Sequence, residues 1–327
     1  MRAVITRGFG GPEVLALGDW PDPEPADDEL LVRVHATALN RADLLQREGR
    51  YPPPPGASPI LGLELAGVVE AAGPACRQFK PGDRVMALVP GGGYAQLAAV
   101  PWDLAMPVPD NLSLEEAAAV PEAFLTAYLN LIWLGRLQAG EYALIHAGAS
   151  GVGTAAIQVV REHGARALVT AGSREKIELC LNLGAEAGFN YREGPWAEAV
   201  IQATGGRGVD VILDCVGAPY WDQNLEVLAP DGRLVIIAMM GGTRLADGRL
   251  GPILSKRLQV TGSTLRSRSR EFKARLVAEF TRFALPRLAD GRLRPVIDRV
   301  MDWTQVAEAH AYMGDNRSKG KVVLRVN

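Results

Sequence analysis

Cysteine is scarce in this chain: three residues in 327, at Cys76, Cys180 and Cys215, far apart in sequence. That spacing excludes a disulfide framework and a cysteine zinc cluster, and it suits a reducing compartment. Histidine is scarcer still for a chain of this length, with four residues, His35, His146, His163 and His310. No two of them have the close spacing of metal ligands. Charge of one sign is also missing. Thirty-five Lys and Arg against 37 Asp and Glu give a net charge of −2, so no nucleic-acid partner and no anionic membrane surface is expected. No apolar run approaches the ~18 residues of a membrane span. The opening MRAVITRGFG lacks the apolar stretch of a secretory signal, and a cytoplasmic location is the expectation.

What is present is a globular composition, 48% hydrophobic and 22% charged. The length is too great for one ordinary core, so two domains are expected. Residues 1–120 read as β-rich. ELLVRVHATAL alternates as a half-buried strand should, ELAGVVEAAG and GDRVMALV are further strand candidates, and proline-rich PDPEP, YPPPPG and PVPD interrupt them. From 121 to 262 short Val/Ile/Leu runs alternate with helical patterns, the mark of βαβ units on a doubly wound parallel sheet. After 262, SREFKARLVAEFTRFAL has the spacing of an amphipathic helix, and GKVVLRV closes the chain as a strand.

The most informative stretch is LIHAGASGVGTAAIQVV, residues 144–160. A short apolar strand runs into Gly148, Gly151 and Gly153, and a helical pattern follows. Such a turn presents unpaired N–H groups and the positive end of a helix dipole to an anion. Ser150 stands where the usual dinucleotide pattern has glycine, and its hydroxyl is placed to hydrogen-bond a phosphate. Val152 lies in the same turn. In NAD sites a carboxylate about 20 residues further on binds the ribose 2′-hydroxyl. Here the next strand ends in Gly172, Ser173, Arg174, Glu175 and Lys176. A hydroxyl and cations suit a 2′-phosphate, so NADPH is expected over NADH. Without a ligand, Ser173 would simply cap the next helix.

These segments, with ALNRADLLQREGRYPPPPGASPILGLELAGVV, PGGGYAQ, AAAVPEAFLTAY, VTAGSREK, GFNY, ILDCVG, MMGG and the terminal GKVVL, resemble the zinc-free quinone oxidoreductases of the medium-chain dehydrogenase/reductase family, the p53-inducible type in particular. The resemblance covers essentially the whole chain. It implies an α/β architecture: a Rossmann domain over 121–262 inserted into a β-rich, GroES-like catalytic domain built from 1–120 and 263–327. Zinc-dependent relatives have Cys at the position of Asn40 and His at that of Leu63. Only Glu64 remains here, so no functional metal is expected. Hydride transfer from NADPH to an already electron-poor acceptor, a quinone or a conjugated enone, needs no Lewis acid.

The resemblance places Tyr51 at the cofactor and substrate cleft, where it would hydrogen-bond a quinone oxygen or the nicotinamide ribose, and Thr126 beside the nicotinamide. Asn40 would donate to a developing oxyanion. Tyr191 would flank the 2′-phosphate. Val216, Met240 and Gly241, at strand ends, and the backbone near Leu265 would line the cofactor. Asp43 reads as a structural tether and Cys215 as small core packing. Arg266, Arg268 and Arg270 read as a solvated helix entry. The alternatives are reduction of the C=C bond of α,β-unsaturated carbonyls and, in another class, an NADPH-binding structural or RNA-binding protein. A homodimer paired through an edge strand near LQVTGSTL is expected by analogy with relatives.

Overall fold

A computed structural model describes all 327 residues. They form two compact units, one of Met1–Leu125 with Leu265–Asn327, the other of Thr126–Thr264. The borders thus lie at 125/126 and 264/265, a few residues beyond the 120/121 and 262/263 read from composition.

The discontinuous unit is organised by one long strand, Glu29–Ala38. Its period-2 pattern buries Leu30, Val32, Val34 and Ala36 because alternate side chains share a face. Glu64–Ala72 pairs antiparallel along one edge of it. The other edge is divided: residues 29–33 pair with 97–101, and 36–38 with 323–325. Strands Arg84–Leu88, Ala105–Pro107 and Ile297–Asp302 complete a seven-stranded sheet. Its core gathers Leu65, Val69, Val85, Val322 and Leu324 around the central strand. Strands from both ends of the chain are therefore needed for one core. The 20-residue helix Arg270–Ala289 buries Leu276, Val277 and Phe280.

The second unit holds six parallel strands in the spatial order Ala185–Asn190, Arg166–Ala171, Tyr142–Ile145, Val209–Asp214, Leu228–Ile236 and Gln259–Gly262. Counted along the chain this is 3-2-1-4-5-6, the doubly wound order of dinucleotide-binding domains. Every residue of Val209–Asp214 is buried, as expected of a central strand covered on both faces. The order reverses beside Tyr142–Ile145, so the crevice at the carboxyl ends lies over the turn that follows that strand. None of the three cysteines is in a disulfide. No helix is long and apolar enough to cross a membrane.

Candidate functional site

In the second unit, the turn after Tyr142–Ile145 leads into the helix Gly151–Glu162. Ser150 caps that helix, its Oγ accepting from Gly153 N at 3.0 Å. The hydroxyl expected to reach a phosphate is thus first a cap. As an acceptor it can still donate its own O–H to an anion at the same place. A Cβ on Gly153 would lie 2.4 Å from the Ala147 carbonyl oxygen, so only glycine lets the turn fold this tightly. Gly148 N donates to Thr170 O at 3.0 Å, which pins the turn to the neighbouring strand. Val152 sits in the first turn of the helix and is partly exposed.

At the tip of Arg166–Ala171, Ser173 caps the helix Arg174–Asn182 by accepting from Lys176 N at 3.3 Å. Arg174 pairs with Glu178 at 2.9 Å, its side chain almost fully exposed. Glu175 is exposed and Lys176 half-buried. Tyr191, just past the third strand, is 42% exposed. Its hydroxyl packs so close over Gly172 that a Cβ there would meet it at 2.5 Å. Gly172, Ser173, Lys176 and Tyr191 therefore converge on one strand tip, and no carboxylate stands among the first residues after that strand except the outward Glu175.

Two further loops close the crevice edge. Val216 follows Asp214, and its N–H donates to the Asp214 carboxylate at 2.6 Å. Met240 N donates to Cys215 O at 3.1 Å and Gly241 N to Val216 O at 2.8 Å, which laces the loops together. Met240 is half exposed. Cys215, read as core packing, lies partly exposed in this loop instead, because the strand has already ended at Asp214. Thr126 is partly exposed in the helix Pro121–Tyr128, and its carbonyl accepts from Asn130 Nδ2 at 2.7 Å.

In the first unit, Asn40 stands at the start of the helix Arg41–Arg47. Its Nδ2 donates to Glu64 Oε1 at 2.9 Å and Ala38 O at 3.3 Å. Both amide protons are taken inside the protein, so Asn40 is not the oxyanion donor that its position suggested. The reason is Lys321, whose Nζ donates to Leu39 O (2.8 Å), Asn40 Oδ1 (2.7 Å) and Glu64 Oε1 (2.6 Å). Glu64 Oε2 accepts from Glu122 N at 2.8 Å. Lys321 and Glu64 are both buried. Sequence alone gave no signal for this pair, because a buried lysine and its carboxylate stand far apart along the chain.

Asp43 is a tether: its carboxylate accepts from Asn40 N (2.8 Å), Gly62 N (3.0 Å) and Tyr94 OH (3.3 Å). Burial pushes its pKa up to about 6 against the pull of the two backbone N–H groups. Burial, and then the Glu64 charge, push Glu122 up to about 8, although the residue retains some solvent contact. Burial also raises the Tyr51 phenol, with the Glu122 charge second. Arg266 is buried rather than solvated. It donates to Pro90 O at 2.7 Å and Gln46 Oε1 at 2.7 Å, and its guanidinium lies 5.4 Å from the Tyr51 ring centre. Arg270 bonds Asp103 at 3.0 Å and also Asp28, so the run of arginines braces its own unit. Leu265, buried, opens this segment.

The donor set around Glu64 does not fit a catalytic metal. Its neighbours are an amide, the apolar Leu63 and a lysine ammonium, which would repel a cation. No cluster of three or more His, Cys, Asp or Glu with metal-binding geometry occurs elsewhere.

Two family models match the chain: the alcohol dehydrogenase GroES-like domain over residues 26–110 and the zinc-binding dehydrogenase domain over 151–282. A human quinone oxidoreductase is 33% identical over 330 residues, covering 99% of this chain and 97% of that protein. Among solved structures, an NAD-dependent alcohol dehydrogenase superposes with TM-score 0.89 at 34% identity over all of both chains. An Escherichia coli quinone oxidoreductase complexed with NADPH superposes with TM-score 0.87 at 29% identity, over 99% of this chain and 100% of that one. With its 3-2-1-4-5-6 sheet, its glycine turn and its Asn40–Glu64–Lys321 cluster, the chain belongs to the medium-chain dehydrogenase/reductase family, among the oxidoreductases of quinone oxidoreductase type.

Proposed function

We propose that this chain is an NADPH-dependent quinone reductase in which the acceptor's own electrophilicity replaces a metal ion. The observation that carries the reading is Lys321 Nζ, 2.6 Å from Glu64. A protein ammonium stands on the one remaining ligand-type residue of the zinc relatives, so nothing here polarises an alcohol. Bound NADPH would supply the hydride, which an electron-poor ring accepts without a Lewis acid.

The chain's own residues bind and orient. The turn Gly148–Gly153, with Gly151 and Val152, offers N–H groups and the Ser150 hydroxyl to the pyrophosphate. Gly172, Ser173, Lys176 and Tyr191 offer a hydroxyl, a cation and an aromatic edge to a 2′-phosphate, and the one acid at this strand tip, Glu175, is exposed to solvent. Val216, Met240 and Gly241 shape the groove with backbone and apolar surface, and the backbone near Leu265 is a further proposed cofactor contact. The Tyr51 phenol, which burial holds protonated, donates to a quinone oxygen. Thr126 packs against the nicotinamide. Asn40 acts by fixing Lys321 and Glu64. A homodimer paired through the edge strand Gln259–Gly262, which bonds only Leu228–Ile236 and is largely exposed, completes the reading. So does a reducing, cytoplasmic setting for three unbridged cysteines.

The test is oxidation of NADPH and NADH against a panel of ortho-quinones, para-quinones and enones. Turnover of quinones with NADPH preferred is expected. Turnover of enones alone would replace quinone reduction by C=C reduction. NADPH binding without turnover of any acceptor would point to a non-enzymatic role.

A further inference from the structure

Beneath the glycine turn runs a file of four hydrogen-bonded side chains that the turn itself does not require. His146 directly follows the first strand of the parallel sheet, two residues before Gly148, and is buried. Its Nδ1 lies 2.9 Å from Thr170 Oγ1, and its Nε2 lies 2.7 Å from Asn224 Oδ1. Asn224 Nδ2 donates to Asp214 Oδ2 at 3.1 Å.

Chemistry gives the file one direction. The Asp214 carboxylate only accepts, and it already takes Val216 N at 2.6 Å and Gly217 N at 3.2 Å. Asn224 must therefore turn its NH2 to Asp214 and its oxygen to His146. An acceptor facing Nε2 requires the hydrogen on Nε2. Nδ1 is then an acceptor and receives the Thr170 hydroxyl. Donor to acceptor, the order is Thr170, His146, Asn224, Asp214. Burial keeps the imidazole neutral, lowering its pKa against the Asp214 charge and the Asn224 bond.

Each part of the file touches a part of the proposed nucleotide groove. Asp214 holds the 214–217 loop, and Ala218 N donates to Gly242 O at 3.0 Å, tying that loop to 240–242. The Thr170 backbone receives Gly148 N. The Tyr220 ring stands 4.7 Å from His146 and 6.4 Å from Tyr191. A buried polar network is stabilising only when every member is satisfied, and an apolar core could fill the same space.

We infer that this file is a positioning device, in which His146 and Asn224 hold the glycine turn, the paired loops 214–217 and 240–242, and the Tyr191 wall at the spacing of one dinucleotide. The inference rests on the nicotinamide-dinucleotide reading above. It names positioning residues, none of which touches the reacting atoms.

Two variants and one spectrum test it. Asn224→Asp keeps the side-chain shape and the acceptor for His146, but faces Asp214 with a second carboxylate. Thr170→Val replaces the terminal hydroxyl by a methyl group. NADPH dissociation constants, KM and kcat are measured with quinone, with thermal midpoints followed in parallel. The 15N shifts of His146 are read in the full-length wild type. The expected result is a pyridine-type Nδ1 and a pyrrole-type Nε2. Asn224→Asp should weaken NADPH about tenfold, about 1.4 kcal/mol, with kcat moved less than KM. Thr170→Val should weaken it in the same direction by a smaller factor. Should Asn224→Asp fail to fold, Thr170→Val and the tautomer decide the matter. A hydrogen on Nδ1, or variants that bind NADPH as tightly as wild type, would overturn the inference alone. Wild-type protein that binds neither NADPH nor NADH would bring down the dinucleotide reading and the inference with it.

Discussion

Lys321→Met keeps the length of the side chain and removes its charge. In the wild type the ammonium donates to Leu39 O, Asn40 Oδ1 and Glu64 Oε1, all within 2.8 Å. The variant leaves Glu64, which has no exposed surface, with only the Asn40 amide and the Glu122 N–H as donors. Removing one partner of a buried ion pair costs roughly 3–5 kcal/mol. The expected loss of stability is therefore about 3–5 kcal/mol at pH 7.

Urea unfolding of wild type and variant at pH 7 measures it, and a deficit below about 1 kcal/mol would refute the reasoning. Adding Glu64→Gln should recover most of the loss, since both charges are then gone.

Lys176→Glu should raise the KM for NADPH about tenfold while leaving that for NADH nearly unchanged, since a cation facing a phosphate becomes an anion. Equal losses for both nucleotides would place the 2′-phosphate elsewhere. Glu122, with its pKa raised to about 8, costs stability as pH climbs from the ordinary carboxylate range toward that value. Glu122→Gln should therefore match wild type near pH 5 and exceed it by about 1–2 kcal/mol at pH 8, allowing for its solvent contact. Denaturant midpoints at the two pH values check this, and a variant weaker at pH 8 than at pH 5 contradicts it.

Local signals made part of this molecule legible in its residues. The alternation of Glu29–Ala38 encodes a half-buried strand, and the apolar runs from Tyr142 to Gly262 encode central parallel strands. The glycine turn is readable because close backbone approach leaves no other residue type possible at Gly153. What local pattern cannot carry is pairing between distant polar groups. Asn40 looks like an available amide until Lys321 is brought to it, 281 residues away. Arg266 looks solvated within TLRSRSRE until Gln46 and Pro90 meet it. His146 and His310 look isolated for the same reason. His310 is buried against Arg47 and Tyr94, and burial, with the Arg47 charge second, drives its pKa down to about 3.

The strand Lys321–Arg325 pairs with residues 36–38 near the opposite end of the chain, and this bears on how the protein is made. On a ribosome the parallel-sheet unit, continuous from Thr126 to Thr264, can fold once its last strand emerges. The residues before it must wait for a partner still untranslated, holding exposed strand edges meanwhile. Nascent chains stalled after residue 264 should thus show a protease-resistant middle and a protease-sensitive front.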